Sequence, residues 1–209
     1  MSTRLAGVPA LFIGERNAPP VLWFHGFGVE KETHRRELEQ LAEGGFLAIG
    51  IDAAGHGERR LPDLDARIAA PREAAKATML ALARATADEV PSMIDALGVE
   101  RIAIAGISMG GYVVYAALAR DPRIRTAVAL LGDPELLATD PEHVALLSIN
   151  GECDENVPPH GARSLHARLH GTHRYVELAG EPHLVSESAW KRVMTLTIGW
   201  LREHAAIRH

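Results

Sequence analysis

The chain has 209 residues, 47% hydrophobic and 23% charged, with a net charge of −5 and a pI near 6.1. That length is about 1.4 typical domain lengths, so one domain is expected, and it buries roughly 70% of the unfolded surface, enough for a core without a disulfide or structural metal. The acidic balance and only ten aromatics (three Trp, three Tyr, four Phe) exclude a sequence-independent nucleic-acid binder, which needs a basic patch and stacking rings.

Cys153 is the single cysteine, which rules out an intramolecular disulfide framework and fits a reducing compartment. Residues 1–14 lack the long apolar run of a signal peptide, and no stretch approaches the roughly 20 apolar residues of a membrane span. The expectation is a cytoplasmic protein with no membrane partner.

In chain order, short apolar runs alternate with helical patterns. Val8–Ile13 reads as an edge strand hairpinned to the next through Asn17-Ala-Pro-Pro20. The runs that follow are Val21–Phe24, Phe46–Ile51, Ile102–Ala105, Ala127–Leu131, Val144–Ile149 and Tyr175–Leu178. They are continuous rather than alternating, as strands covered on both faces should be. Helical patterns lie at Glu32–Glu43, Arg72–Leu97, Met109–Arg120, Gly161–His170 and Glu187–His204, with Gly44, Gly98 and Gly171 placed as stops. This alternation predicts an α/β fold, a mostly parallel sheet with helices on both faces. In such sheets ligands bind beyond the carboxyl ends of the strands, so the residues standing there are the candidates.

After Ile102–Ala105 comes Gly106-Ile107-Ser108-Met109-Gly110-Gly111. A G-x-S-x-G pattern alone is weak. Between an apolar run and a helix it gains meaning, because a serine on that tight turn is held in a strained conformation that presents its hydroxyl at a helix N-terminus. Such a hydroxyl is a nucleophile only if a base takes its proton and an acid orients the base. Of eleven histidines, His183 in Gly180-Glu181-Pro182-His183 lies on the loop after the last strand run, from which a side chain can return over the sheet. His166 and His170, four apart, read as a solvated helix face rather than a metal site; His204 and His209 belong to the tail. Asp154, in the turn after Val144–Ile149, is the favoured acid and Asp133, after Ala127–Leu131, the rival. Glu152 and Glu155 read as solvated neighbours. Two N–H donors must hold a developing oxyanion: Met109, directly after the serine, and Phe27 in His25-Gly26-Phe27-Gly28. His25 itself reads as a hydrogen-bonded structural residue.

Together these residues resemble the α/β-hydrolase superfamily. The carrying motifs are His-Gly-Phe-Gly at 25–28, Asp-Ala-Ala-Gly-His-Gly at 52–57, Gly-Ile-Ser-Met-Gly-Gly at 106–111, Gly-Glu-Cys-Asp-Glu-Asn-Val-Pro at 151–158 and Gly-Glu-Pro-His at 180–183. The chain is similar to small bacterial esterases related to dienelactone hydrolases and to prolyl-oligopeptidase catalytic domains. The resemblance implies a Ser108–His183–Asp154 triad, oxyanion N–H groups on Phe27 and Met109, a structural role for the 52–57 loop, and no metal or organic cofactor. It departs from the family in several ways. Before Val21 there is room for one or two strands, fewer than a full eight-stranded sheet. Serine stands where dienelactone hydrolases carry cysteine. Gly132–His143 is too short for a lid, and the longer insertion, Glu58–Pro71, is expected to wall a shallow, open pocket. A carboxylesterase acting on small, short-acyl esters is the expectation. A thioesterase, amidase or peptidase with the same residues, and a non-catalytic small-molecule receptor, are the alternatives.

Overall fold

Ala6 and Gly7, both at positive φ (51° and 82°), turn the chain back at its start and pair β1 (Arg4–Leu5) with β2 (Val8–Ile13). Two positive-φ residues make the tight turn whose twist matches a hairpin. The computed structural model describes residues 3–205. Six further strands follow: β3 (Pro20–Phe24), β4 (Leu47–Ile51), β5 (Ile102–Ile107), β6 (Ile124–Leu130), β7 (Ala145–Gly151) and β8 (His173–Leu178). The helices are α1 (Arg35–Glu43), α2 (Leu64–Ile68), α3 (Arg72–Leu97), α4 (Met109–Ala117), α5 (His160–His166) and α6 (Glu187–His204). His209 lies outside the described residues.

The sheet order is β1-β2-β4-β3-β5-β6-β7-β8, with β1 and β2 antiparallel and every pairing from β4 to β8 parallel. The sheet therefore has eight strands, not fewer, because the short N-terminal portion supplies two. The expected hairpin between Val8–Ile13 and the next strand does not form. β2 pairs with β1 and β4 instead: the crossover through α1 carries β4 back between β2 and β3. Pro19 and Pro20 also lack the N–H groups a hairpin ladder there would need.

Alternate strand residues face two apolar layers. Leu22, Phe24, Ile49, Ile51 and Ile104 pack with Ala87, Val90 and Ile94 of α3, Val113 of α4 and Leu165 of α5. Val21, Trp23, Ala48, Val128 and Leu130 pack with Leu38 and Leu41 of α1 and Val193, Met194 and Leu201 of α6. Burial on both faces is why the strands read as unbroken apolar runs. Gly98 stops α3 at φ 64°, and the Ser186 side chain accepts the Ala189 N–H to start α6. Two helices are shorter than their patterns: α4 ends at Ala117 and α5 at His166, so Gly171 follows a turn rather than capping a helix. The Glu58–Pro71 insertion folds into a turn at Gly57–Arg59 and the helix α2.

Candidate active site

Ser108 sits between β5 and α4 at φ 54°, ψ −117°, a region that a side chain other than glycine occupies only under strain. Its neighbours allow it. A Cβ on Gly106 would run into the Gly110 backbone, and one on Gly110 into the Phe24 carbonyl. The glycines thus let the turn close onto α4 and β3, and the strain is held by buried strands on both sides.

The loop after β8 brings His183 to this turn. Ser108 Oγ lies 3.0 Å from His183 Nε2, and His183 Nδ1 lies 2.6 Å from Asp154 Oδ2. A carboxylate can only accept, so Nδ1–H donates to Asp154, which leaves Nε2 free to accept the serine proton. The buried Asp154 carboxylate is held in turn: its Oδ1 accepts the N–H groups of Asn156 (2.9 Å) and Val157 (2.8 Å). Such a relay can draw a proton from a hydroxyl and stabilise the imidazolium that results.

Asp133, the rival acid, points elsewhere. Its Oδ1 accepts the Glu135 N–H and caps a short turn, and burial pushes its carboxyl above the usual range. Glu152 and Glu155 are exposed, as expected. Glu152 nevertheless holds the histidine loop, its Oε2 accepting the Gly180 N–H at 2.8 Å. Glu181 does the same from within the loop: its carbonyl accepts the Cys153 N–H and its carboxylate accepts the Ser186 N–H and hydroxyl. Neither role was read from the sequence, although glutamates flanking the Asp154 and His183 turns were visible there.

The His25–Gly28 loop runs beside the serine, a Cβ on Gly26 falling 3.7 Å from Ser108 Cβ. Phe27 lines the cleft here, and the Met109 amide, first in α4, has no intrahelical acceptor. His25 is structural: Nδ1–H donates to the Gly26 carbonyl (2.7 Å) and Nε2 accepts the Ala53 N–H (3.0 Å). His56 mirrors it, donating to the Ala54 carbonyl and accepting the Gly28 N–H at 3.0 Å. Burial pushes His25 down to about 4 and lowers His56 as well, and in each ring an Nε2 that accepts a backbone N–H carries no proton. Beneath them, the buried Asp52 carboxylate accepts the Lys31 ammonium and the N–H groups of Lys31 and Glu58. Burial raises its pKa, and these bonds more than reverse the effect.

His166 is not on a solvated face. Ala162, Leu165 and His166 form the buried stripe of α5, which places the imidazole under the sheet, with Nε2 2.8 Å from Ser148 Oγ. Its ring stacks on Tyr175, and Ser148 Oγ lies 2.6 Å from Tyr115 Oη. His170 is exposed, and no cluster of three metal-ligating side chains exists among the described residues.

Ser108 opens into a cleft of about 1040 Å³. Its walls include Phe27, Tyr112, Leu131 and Val157, with Ile68 and Ala70 from the Glu58–Pro71 insertion and Asp133 and Glu135 from the loop after β6. Among the described residues no inserted domain covers it, and no helix is long and apolar enough to cross a membrane.

Esterase YjfP of Escherichia coli (strain K12) is 28% identical over 138 residues, 63% of this chain and 54% of that protein. The chain spans about a third to two thirds of the length of the curated relatives it matches. Among solved structures, TT1662 from Thermus thermophilus superposes with a TM-score of 0.76 at 22% identity, covering 100% of this chain and 98% of that one. The meta-cleavage product hydrolase CumD from Pseudomonas fluorescens IP01 gives 0.74 at 16% identity over 97% of each chain. These two establish the shared fold. The PET hydrolase-like family (PETase) matches residues 26–206, a span that runs from the Gly26–Gly28 loop through the serine turn and the histidine loop into the last helix. The chain belongs to this PET hydrolase-like family, within the α/β-hydrolase superfamily.

Proposed function

We propose that the protein is a serine hydrolase, a carboxylesterase that cleaves small, short-acyl esters. The observation that carries this reading is the chain of contacts from Ser108 Oγ to His183 Nε2 at 3.0 Å and from His183 Nδ1 to Asp154 Oδ2 at 2.6 Å. Membership in the PET hydrolase-like family supports it.

His183 Nε2 takes the hydroxyl proton as Ser108 Oγ bonds to the ester carbonyl carbon, and the carbonyl electron pair moves onto oxygen. The N–H groups of Phe27 and Met109 hold that oxyanion, each donor contributing about 10² to 10³ in rate. Collapse of the intermediate breaks the bond to the alcohol oxygen, which leaves with the proton held by His183. Water, giving its proton to His183, then attacks the acyl carbon, and Ser108 departs with that proton restored.

The short-acyl preference follows from charge. The cleft is lined by Asp133 and by an ion pair between Lys76 and Glu135, at 2.7 Å. A long alkyl chain laid there would desolvate these groups without replacing their partners. A panel of esters, thioesters and peptides with varied acyl lengths tests the proposal. Acetate and butyrate esters should turn over at least about tenfold faster than dodecanoate esters. Faster turnover of long-chain esters, or of thioesters or peptides over matched esters, would contradict it.

A further inference from the structure

At the amino ends of the parallel strands, where β3, β5 and β6 begin, lies a separate cavity of about 350 Å³. It adjoins the start of β5, whereas Ser108 follows its end, so the six residues of that strand put roughly 20 Å between the two. The volume falls at the lower end of the range for small-molecule sites, roughly 300–1,000 Å³. Its walls are largely apolar, with Pro19, Val99, Ala103 and Ala205 among them.

Against these walls stand a buried hydroxyl and two cations. Thr126, Val128 and Leu130 alternate along β6 onto the face covered by α6, and His204 and Ala205, at the end of α6, border the cavity on that face. Thr126 is fully buried, and its Oγ1 has no hydrogen-bond partner among the described residues. A hydroxyl left in that state costs stability, so the partner it needs has to be something that enters the cavity. Arg101 and Arg125 also line it; both are exposed, and neither guanidinium has an ion-pair or hydrogen-bond partner among the described residues. Arg125 owes its place to a bulge. Ile102 pairs with Ile124 and Ala103 with Thr126, which leaves Arg125 as the extra residue. Bulges in parallel pairs are rare and re-aim a side chain. This one lets two successive residues border one cavity, where a regular strand would send them to opposite faces.

A guanidinium fork matches a carboxylate in shape and charge. The Glu100 carboxylate lines the cavity too, but two arginines outweigh it, so an anionic group is favoured. We infer that this cavity is a second small-molecule site, which takes a short hydroxylated carboxylate. Its carboxylate meets Arg101 and Arg125, its alkyl chain lies on the apolar walls, and its hydroxyl bonds to Thr126. This inference does not depend on the serine-hydrolase reading above.

Isothermal titration calorimetry with 6-hydroxyhexanoate, hexanoate and 1,6-hexanediol tests each part, since a flexible chain lets both ends reach their partners. The wild type should bind 6-hydroxyhexanoate most tightly, hexanoate about fivefold less and the diol at least about tenfold less. The double variant Arg101→Gln/Arg125→Gln, altered only at exposed side chains, should lose at least about tenfold in affinity for both carboxylates. Thr126→Val should bind the two carboxylates equally, and its melting temperature should not fall, because the hydroxyl removed has no partner to lose. Failure of the wild type to bind 6-hydroxyhexanoate overturns the inference. So does binding that the arginine variant leaves unchanged, which would put the ligand elsewhere, in the Ser108 cleft for one. Equal affinity for the diol, or tighter binding of 6-amino-1-hexanol, would contradict an anion site. A lower melting temperature in Thr126→Val, with the preference for 6-hydroxyhexanoate intact, would remove Thr126 from it.

Discussion

His25 and His56 exchange acceptors between two loops: His25 Nε2 takes the Ala53 N–H and His56 Nε2 takes the Gly28 N–H, each at 3.0 Å. Their rings meet edge to face, with centroids 5.2 Å apart. Each ring uses its other nitrogen to donate to a carbonyl on its own loop, so both tautomers are fixed. The loop that carries Phe27 is thus held in place by histidines that the proposed chemistry never protonates.

Removing one side of this exchange should slow the chemistry without abolishing binding. His56→Ala leaves the Gly28 N–H without its acceptor and frees the backbone at Phe27. The expected result is a fall in kcat of about 10- to 100-fold, less than the full loss of an oxyanion donor, with KM changed by less than about threefold. Steady-state kinetics on a short-acyl ester measure the split. A fall carried by KM alone would show that the loop serves binding instead.

The two aspartates make separable predictions. Asp154→Asn removes the acceptor that fixes the His183 tautomer, and kcat should fall by about 10³ to 10⁴. Asp133→Asn, whose carboxylate caps the Glu135 turn, should cost less than about tenfold in kcat. Comparing kcat for the two variants decides between them, and a larger loss in Asp133→Asn would reverse the assignment.

Stability should depend on pH in a defined window. Burial lowers His25 and His166 from 6.5 to about 4 in the folded chain, so between those values the unfolded chain binds more protons than the folded one. Stability is then full above about pH 6.5 and is lost progressively as the pH falls toward 4. Chemical denaturation at intervals across this range measures the slope. His166→Gln should flatten it, and a slope unchanged in that variant would remove His166 from the account.

Much of the fold was legible because its signals are local. The bounds of α3 and α6 follow from Pro71 and Gly98, and from the Ser186 cap and the apolar stripe through Val193 and Trp200. The serine turn, Asp154 and His183, whose side chains the structure brings together, each stand just after an apolar run in the sequence. What the chain hides is set over longer distances. Whether β2 lies beside β3 or β4 depends on the crossover through α1, not on either strand's residues. The exchange between His25 and His56 joins loops about 30 residues apart and has no periodic trace. For His166 the two local signals disagree: its spacing of four from His170 suggests one solvated face, while the Ala162, Leu165, His166 stripe marks the buried face on which it lies.

The central claim is that Ser108 is the reactive nucleophile. Mass spectrometry of the intact protein and its peptides after fluorophosphonate treatment tests it most directly. One adduct on Ser108 is predicted in the wild type, lost in Ser108→Ala and formed far more slowly in His183→Ala. A wild type that stays unlabelled, or an adduct of the same mass that persists in Ser108→Ala, would contradict it.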